Sequence, residues 1–153
     1  MSTLFDLVFY VTIPFWALMI FAPAWRFTRL IIGSPWIVGA PLVIWALITV
    51  PILGDLWSLV TSPSLAAITE AAADPAVLAA LWAQIIAWDL FLGRWVYLDS
   101  RARGIHPLLM GPVLVGTIML SPIVFPVYLA ARELAGRAST ADSAVTQADP
   151  ISA

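Results

Sequence analysis

The sequence predicts an all-α membrane protein in which four helices cross the bilayer as a bundle and a disordered C-terminal tail follows. Hydrophobic residues make up 62% of the 153 residues and charged residues only 10%, whereas soluble domains average about 25% charged residues. Four apolar runs are each close to the length that crosses about 30 Å of hydrocarbon. These runs cover residues 4–22, 36–53, 76–98 and 108–131. We therefore expect one transmembrane domain over residues 1–135.

The first two apolar runs form a predicted antiparallel helical hairpin. The residues before the first run are Met-Ser-Thr, which lack the basic character of a secretory signal, so this run is expected to stay as a membrane anchor. Pro23 ends it, and Trp25, Arg26 and Arg29 suit the headgroup interface. The second run begins at Trp36, which leaves only a short connection.

The third apolar run has the clearest helix boundaries. Asp74 can cap its N-terminus, and Pro75 fits the first helical position. Arg101, Arg103 and Gly104 are C-terminal signals. It is also the one apolar run without a proline inside it. Because proline removes a backbone hydrogen bond, the other three helices should bend, and the third should be the straight central helix that contacts the others.

The fourth run contains Pro112, Pro122 and Pro126, and a polar segment follows it. After Arg137 the residues are small and polar, with no aromatic side chain. Such a composition cannot bury enough apolar surface to offset the entropy of ordering. We therefore predict a disordered tail over residues 136–153.

The arginines predict the orientation of the helices. The connection over residues 54–73 contains no basic residue, whereas the other two connections contain these arginines: Arg26, Arg29, Arg101 and Arg103. The positive-inside rule therefore places those two connections in the cytoplasm, and with four spans both termini face outward. Arg132 and Arg137 oppose this orientation. The expected membrane is a bacterial inner membrane or an organelle envelope.

Several function classes are excluded by composition. Cysteine is absent, which excludes disulfides and zinc ligation by thiolates. The single histidine, His106, cannot build a His-rich metal site, and there is no glycine-rich phosphate loop, so we expect no metal and no cofactor. A net charge of −2 gives no reason to expect nucleic-acid binding. Membrane lipid is the expected partner, and association with a second copy of the chain stays open.

Asp89 is the candidate site because its carboxyl lies inside an apolar run. A charge near the centre of a membrane helix costs roughly 2.5–3.5 kcal/mol on insertion scales, so it normally faces protein or water. Helical spacing places Trp82, Asp89 and Val96 on one face, with Gly93 one turn beyond Asp89. Glycine lets a helix or a ligand approach closely. Asp89 is either a general acid or a structural partner of a carbonyl freed by a proline.

Two other groups on the third helix have alternative interpretations. Arg94 points roughly 140° away from Asp89, so it either extends to the interface or pairs with another element. The deep tryptophans either pack within the bundle or stack on a long flat polyene. These are Trp16, Trp45, Trp82 and Trp88.

Residues 13–25 and 82–99 resemble the abscisic-acid-deficient-four-like family, membrane proteins linked to neoxanthin synthesis from violaxanthin. The resemblance implies a protein of carotenoid and xanthophyll metabolism with a carotenoid ligand and an isomerase-type activity that converts an epoxide to an allene. That reaction needs an acid and a base. Asp89 could be the acid, but no second group in the spans is an obvious base. A non-catalytic carotenoid-binding or assembly protein is the alternative.

The chain differs from the family pattern at two places. Gln84 stands where the family tends to have a histidine, and Gln cannot transfer a proton at neutral pH. Leu120-Ser121-Pro122 stands where the family tends to have Phe-Gly-Pro. Asp89 and Arg94 are the candidate catalytic residues. The candidate ligand-binding residues are Trp16, Trp82, Gln84, Trp88, Gly93 and Tyr97.

Overall fold

The computed structural model of the chain describes the backbone of residues 2–148 and the side chains of residues 2–133. The described residues form helices and turns and contain no strand. Four helical segments are long and apolar enough to cross a membrane, which confirms the predicted fold class. They are Ser2–Phe21, Pro35–Thr61, Pro75–Ala102 and Pro107–Glu133.

The first segment is broken where the sequence predicted a bend. It consists of α1 (Ser2–Tyr10) and α2 (Ile13–Phe21). The two intervening residues lie just before Pro14, which has no N–H for the helical ladder. Thr12 Oγ1 donates a 2.8 Å hydrogen bond to the Phe9 carbonyl, so part of the interrupted ladder is replaced by a side chain.

The connection after α2 is itself helical. The sequence predicted a short connection here, and α3 (Arg26–Gly33) forms most of it. Thr28 and Ile32 are buried, whereas Arg26 and Arg29 are exposed. Thr28 and Ile32 therefore mark the side of α3 that faces the bundle.

The second segment is bent at a proline as well. A 3₁₀ turn at Val50–Ile52, which contains Pro51, separates the two halves of the segment. The region 54–73, expected to be a loop, is mostly helical instead. Helix α4 (Gly39–Thr49) lies before the 3₁₀ turn. Helices α5 (Leu53–Thr61) and α6 (Leu65–Ala71) follow it and occupy most of the region 54–73.

The central helix is α7 (Pro75–Ala102), as the sequence predicted. Asp74 caps it, because its Oδ1 accepts a 2.7 Å hydrogen bond from the Ala76 N–H. The helix packs against α1, α2, α3, α4 and the last helix. In its apolar window 56% of the residues are buried, against 17–28% in the other three segments. Gly104 ends the turn after α7 at φ 66°, a conformation that favours glycine.

The last helix, α8 (Pro107–Ala148), turns back on itself at Leu120. Leu120 has φ −143° and ψ 46°, which no helix contains. Pro122 favours a break here, because it has no N–H for the Ile118 carbonyl and its ring disfavours a helical conformation at the residue before it. Gly116 lies inside the bend: a Cβ built on it would lie 3.0 Å from Val124 Cγ2. Residues so spaced are about 12 Å apart along a straight helix.

The two halves of α8 form a helical hairpin. The first arm (residues 107–119) leaves the end of α7, and the return arm (residues 121–133) comes back to it. The Tyr128 hydroxyl donates a 2.7 Å hydrogen bond to the Asp99 carboxylate, near the residue at which α7 ends. Helix α8 begins at Pro107, at the same end of the bundle. Both ends of this helical hairpin therefore lie at the same end of the bundle.

The core has two layers, and α8 contributes to one of them. One cluster joins α1, α4 and α7 and includes Val8, Ile48 and Ala83; no described residue of α8 belongs to it. The other cluster contains Met110 and Tyr128 from the two arms of α8. The hairpin thus completes the half of the bundle that holds the arginine-rich connections.

Beyond the hairpin, the backbone is helical as far as Ala148. The disordered tail expected over residues 136–153 stays a prediction. Residues 149–153 of the predicted tail lie outside the described residues.

The hairpin can be tested with a disulfide, because the chain contains no cysteine. A Cβ built on Gly116 lies 3.8 Å from the Val124 Cβ, and disulfides join Cβ atoms about 3.8 Å apart. In membranes treated with an oxidant, the pair Gly116→Cys and Val124→Cys should become protected from a mass-tagged maleimide, and a reductant should restore labelling.

The matched control pairs Gly116→Cys with Leu108→Cys, which is equally distant in sequence but lies within the straight first arm. This pair should stay fully labelled after oxidation. Full labelling of the Gly116 and Val124 pair would show instead that α8 continues straight across the membrane.

Candidate functional site

Asp89 lies inside the bundle, against the apex of the α8 hairpin. The residue is 7% exposed, and the Ser121 side chain lies near its carboxyl. Ser121 follows Leu120, the residue at which α8 turns. No ion pair in the described part of the chain includes Asp89. As expected from the sequence, the carboxyl faces protein and not lipid.

The chemistry available at Asp89 is that of a carboxyl beside a hydroxyl. Ser121 can donate a hydrogen bond to a carboxylate or accept one from a neutral carboxyl. The break at Leu120 also leaves backbone carbonyls at the end of the first arm without helical partners. The apex therefore supplies polar groups in the apolar layer, and Asp89 is the titratable group that faces them.

Trp16 occupies the space beside Gly93. The indole of Trp16 lies directly on Gly93, so closely that a Cβ at this position would overlap the ring. The sequence left this space open to a helix or a ligand. In the structure α2 fills it, and Trp16 is buried in the core.

Arg94 binds the end of α3 and does not approach Asp89. Its Nε donates a 2.8 Å hydrogen bond to the Ile32 carbonyl, and its Nη2 donates a 2.6 Å hydrogen bond to the Gly33 carbonyl. These carbonyls belong to the last turn of α3, where the helix itself provides no donors. Arg94 therefore pairs with another element, which was one of its two predicted alternatives, and does not extend freely to the interface.

Tyr97 and Trp82 hold α7 against the first helical segment. The Tyr97 hydroxyl donates a 2.8 Å hydrogen bond to the Pro23 carbonyl, which fixes the connection after α2. Trp82 stacks on Phe5 with ring centroids 5.4 Å apart, and its buried indole N–H has no hydrogen-bond partner among the described residues. Both residues therefore make contacts within the bundle.

Gln84 and Trp88 lie on a different face of α7, along a lipid-facing groove. The groove between α4 and α7 has a volume of about 390 Å³, and its lining is aromatic and apolar except for Gln84. Its residues are Val38, Leu42, Trp45, Gln84, Ala87, Trp88 and Phe91. Trp88 is 58% exposed. The candidate residues thus divide into an interior set around Asp89 and a groove set, and Asp89 does not line the groove.

A charged cluster around Asp99 was not predicted. The carboxylate accepts the Tyr128 hydrogen bond and pairs with Arg132 at 2.9 Å and Arg103 at 3.1 Å. The Arg132 guanidinium also lies 5.1 Å from the Trp95 ring centroid. The Arg103 pair has helical i, i+4 spacing and is visible in the sequence. The Tyr128 and Arg132 contacts exist only because α8 turns back.

The family profile described as ABA DEFICIENT 4-like matches residues 3–128. The chain belongs to this family. The match confirms the resemblance inferred from the sequence and assigns the protein to carotenoid metabolism in a membrane. It extends over all four helical segments and includes the apex of the hairpin. Comparison with curated proteins gave no match, and comparison with solved structures gave none either.

Proposed function

We propose that this protein binds a carotenoid in the groove between α4 and α7 and serves xanthophyll metabolism as a membrane-bound carotenoid-binding protein. The observation that carries the proposal is the pair of indoles, Trp45 and Trp88, that line an apolar groove facing lipid. A polyene is long, flat and apolar, and indole faces stack well on such a surface. A ligand dissolved in the bilayer would enter sideways without crossing water.

Gln84 gives the groove one polar group. An amide can donate a hydrogen bond to a hydroxyl or epoxide oxygen on a carotenoid end ring, and it can accept one from a hydroxyl. It cannot protonate that oxygen at neutral pH. The groove therefore supplies shape, aromatic surface and one hydrogen-bonding group, which suits binding better than proton transfer.

Catalysis at Asp89 is the second candidate function. Opening an epoxide to an allenic alcohol needs an acid at the epoxide oxygen and a base for a proton next to the ring, with no net redox change. A carboxyl inside the apolar layer, outside every described ion pair, is a possible acid. Its separation from the groove, and the lack of an evident base, favour the binding function.

We propose that the N-terminus lies outside the cytoplasm and that the return arm of α8 ends in the cytoplasm. The earlier expectation of two outward termini assumed that the fourth segment crosses the membrane, and the hairpin removes that reason. The described arginine residues all lie toward one end of the bundle, and the positive-inside rule places that end in the cytoplasm. They are Arg26, Arg29, Arg94, Arg101, Arg103 and Arg132.

The groove is tested by Trp88→Leu in a host that makes epoxy-xanthophylls. Wild-type protein purified in detergent should carry carotenoid, measured by chromatography of the extracted pigment. The variant keeps an apolar side chain but loses the indole. Aromatic stacking contributes about 0.5–1.5 kcal/mol, so the pigment-to-protein ratio should fall by up to about tenfold.

The matched control is Trp57→Leu, which removes an indole that is 67% exposed and outside the groove. It should keep the wild-type pigment ratio. An equal loss of pigment from the two variants would show that the groove is not the binding site.

The two candidate functions are separated by Asp89→Asn. The amide keeps the shape and can still hydrogen-bond Ser121, so folding and pigment content should stay at wild-type levels. If Asp89 only supports the bundle, the yield of any allenic product should also be unchanged. A fall in product of roughly 10²–10⁴-fold with unchanged pigment binding would identify Asp89 as a general acid. The protein would then be an enzyme and not only a carotenoid-binding protein.

The orientation is tested with reporter fusions near Ser64 and after Ala135, the latter placed just beyond the return arm. The Ser64 fusion should report the outer side and the Ala135 fusion the cytoplasm, because the hairpin returns to the arginine-rich end. If both fusions report the outer side, the fourth segment crosses the membrane and the orientation first predicted from the sequence holds.

A further inference from the structure

A second cavity lies at the arginine-rich end of the bundle, away from the groove and from Asp89. It has a volume of about 330 Å³ and lies between the connection after α2, helix α3 and the end of α7. Its lining residues are Pro23, Ala24, Arg29, Arg101 and Gly104. Two arginines from separate helices therefore line one small space.

No carboxylate neutralises these two arginines in the described part of the chain. The ion pairs found there use Arg103 and Arg132 as the cations. Arg101 Nη2 donates a hydrogen bond to the Ile105 carbonyl, which orients the guanidinium and leaves its other donors for a ligand. Two adjacent cations without a counter-charge are favourable only when an anion or water lies between them.

The walls of this cavity are held in place before any ligand binds. The Tyr97 hydroxyl bonds to the Pro23 carbonyl at 2.8 Å, and Thr28 Oγ1 donates a 2.7 Å hydrogen bond to the Ala22 carbonyl. Gly104 forms one edge at φ 66°. A preorganised site binds with less loss of conformational freedom.

The cavity is also bordered by residue types that are common at the level of the lipid headgroups. Helix α3 carries Arg29 on its exposed side, and its buried side faces the bundle. Trp25, which precedes α3, is exposed and packs edge-to-face on Phe27 with centroids 5.0 Å apart. Exposed aromatic residues beside arginines are typical of the membrane interface.

We propose that Arg29 and Arg101 bind the phosphate group of an anionic membrane phospholipid in this cavity. The guanidinium fork matches the geometry of phosphate oxygens and donates two hydrogen bonds to one group. Basic pockets between membrane helices on the cytoplasmic side bind phospholipid headgroups in this way. The lipid would hold α3 against the end of α7. Free phosphate has the same recognition chemistry, and the test separates the two sources.

The experiment measures thermal unfolding of the purified full-length chain in neutral detergent. Phosphatidylglycerol, phosphatidylcholine and inorganic phosphate are added in parallel titrations at equal concentrations and fixed ionic strength. Phosphatidylglycerol should raise the unfolding midpoint in a saturable way, because a ligand that binds only the folded state stabilises it. Phosphatidylcholine and inorganic phosphate should not. A matching effect from inorganic phosphate would overturn a lipid site in favour of a free-anion site.

The variant Arg29→Gln removes one guanidinium, and Arg26→Gln is its matched control on the same exposed helix, outside the cavity. Arg29→Gln should weaken phosphatidylglycerol binding by about tenfold or more, since a hydrogen bond to a charged group is lost. Arg26→Gln should bind as the wild type does. Equal weakening by both variants would mean a diffuse surface charge and would overturn the site.

Arg29→Lys provides a second measurement that does not depend on the loss of charge. Lysine keeps the positive charge and loses the planar fork. Phosphatidylglycerol binding should fall between that of wild type and Arg29→Gln. Wild-type affinity in Arg29→Lys would show that charge alone attracts the lipid, and the proposed pair of guanidinium groups would be wrong.

Discussion

The turn at Leu120 is the constraint on which the rest of the arrangement depends. Backbone groups freed within the hydrocarbon layer are stable only when protein or enclosed water satisfies them. Here the break is covered by α7 at the level of Asp89, with Ser121 beside the carboxyl. The same turn directs the return arm to Asp99, where Tyr128 and Arg132 bind. One break near a proline thus determines the polar contacts that α8 makes with Asp89 and Asp99 of α7.

The bundle separates its lipid-facing aromatic surface from its interior carboxyl. Gln84 and Trp88 lie on the face of α7 beside α4, whereas Asp89 lies on the face covered by α8. Membership of the ABA DEFICIENT 4-like family supports a role in carotenoid metabolism. An open groove of this kind suits a ligand that stays in the bilayer. Asp89 would take part in chemistry only if that ligand, or the hairpin, moved.

The arginines have different roles because their surroundings differ. Arg94 donates to carbonyls at the end of α3, and Arg132 pairs with Asp99. Arg29 and Arg101 face a cavity without a carboxylate in the described residues. A guanidinium has five donors and stays charged, so each one needs acceptors wherever it is placed. For Arg29 and Arg101, a lipid phosphate can provide the hydrogen-bond acceptors that the described residues do not supply.

The sequence by itself determined the four apolar helical segments, the boundaries of α7, the inward-facing Asp89 and the family. These follow from composition, capping residues and helical periodicity, which are local properties. Only the tertiary structure decided that α8 returns to its own side, that Trp16 covers Gly93, and that Asp89 lies away from the groove. Hydropathy is the same for a helix that crosses and for one that turns back. After a proline break, the direction of the chain depends on the surfaces that it meets, and those come from distant parts of the sequence.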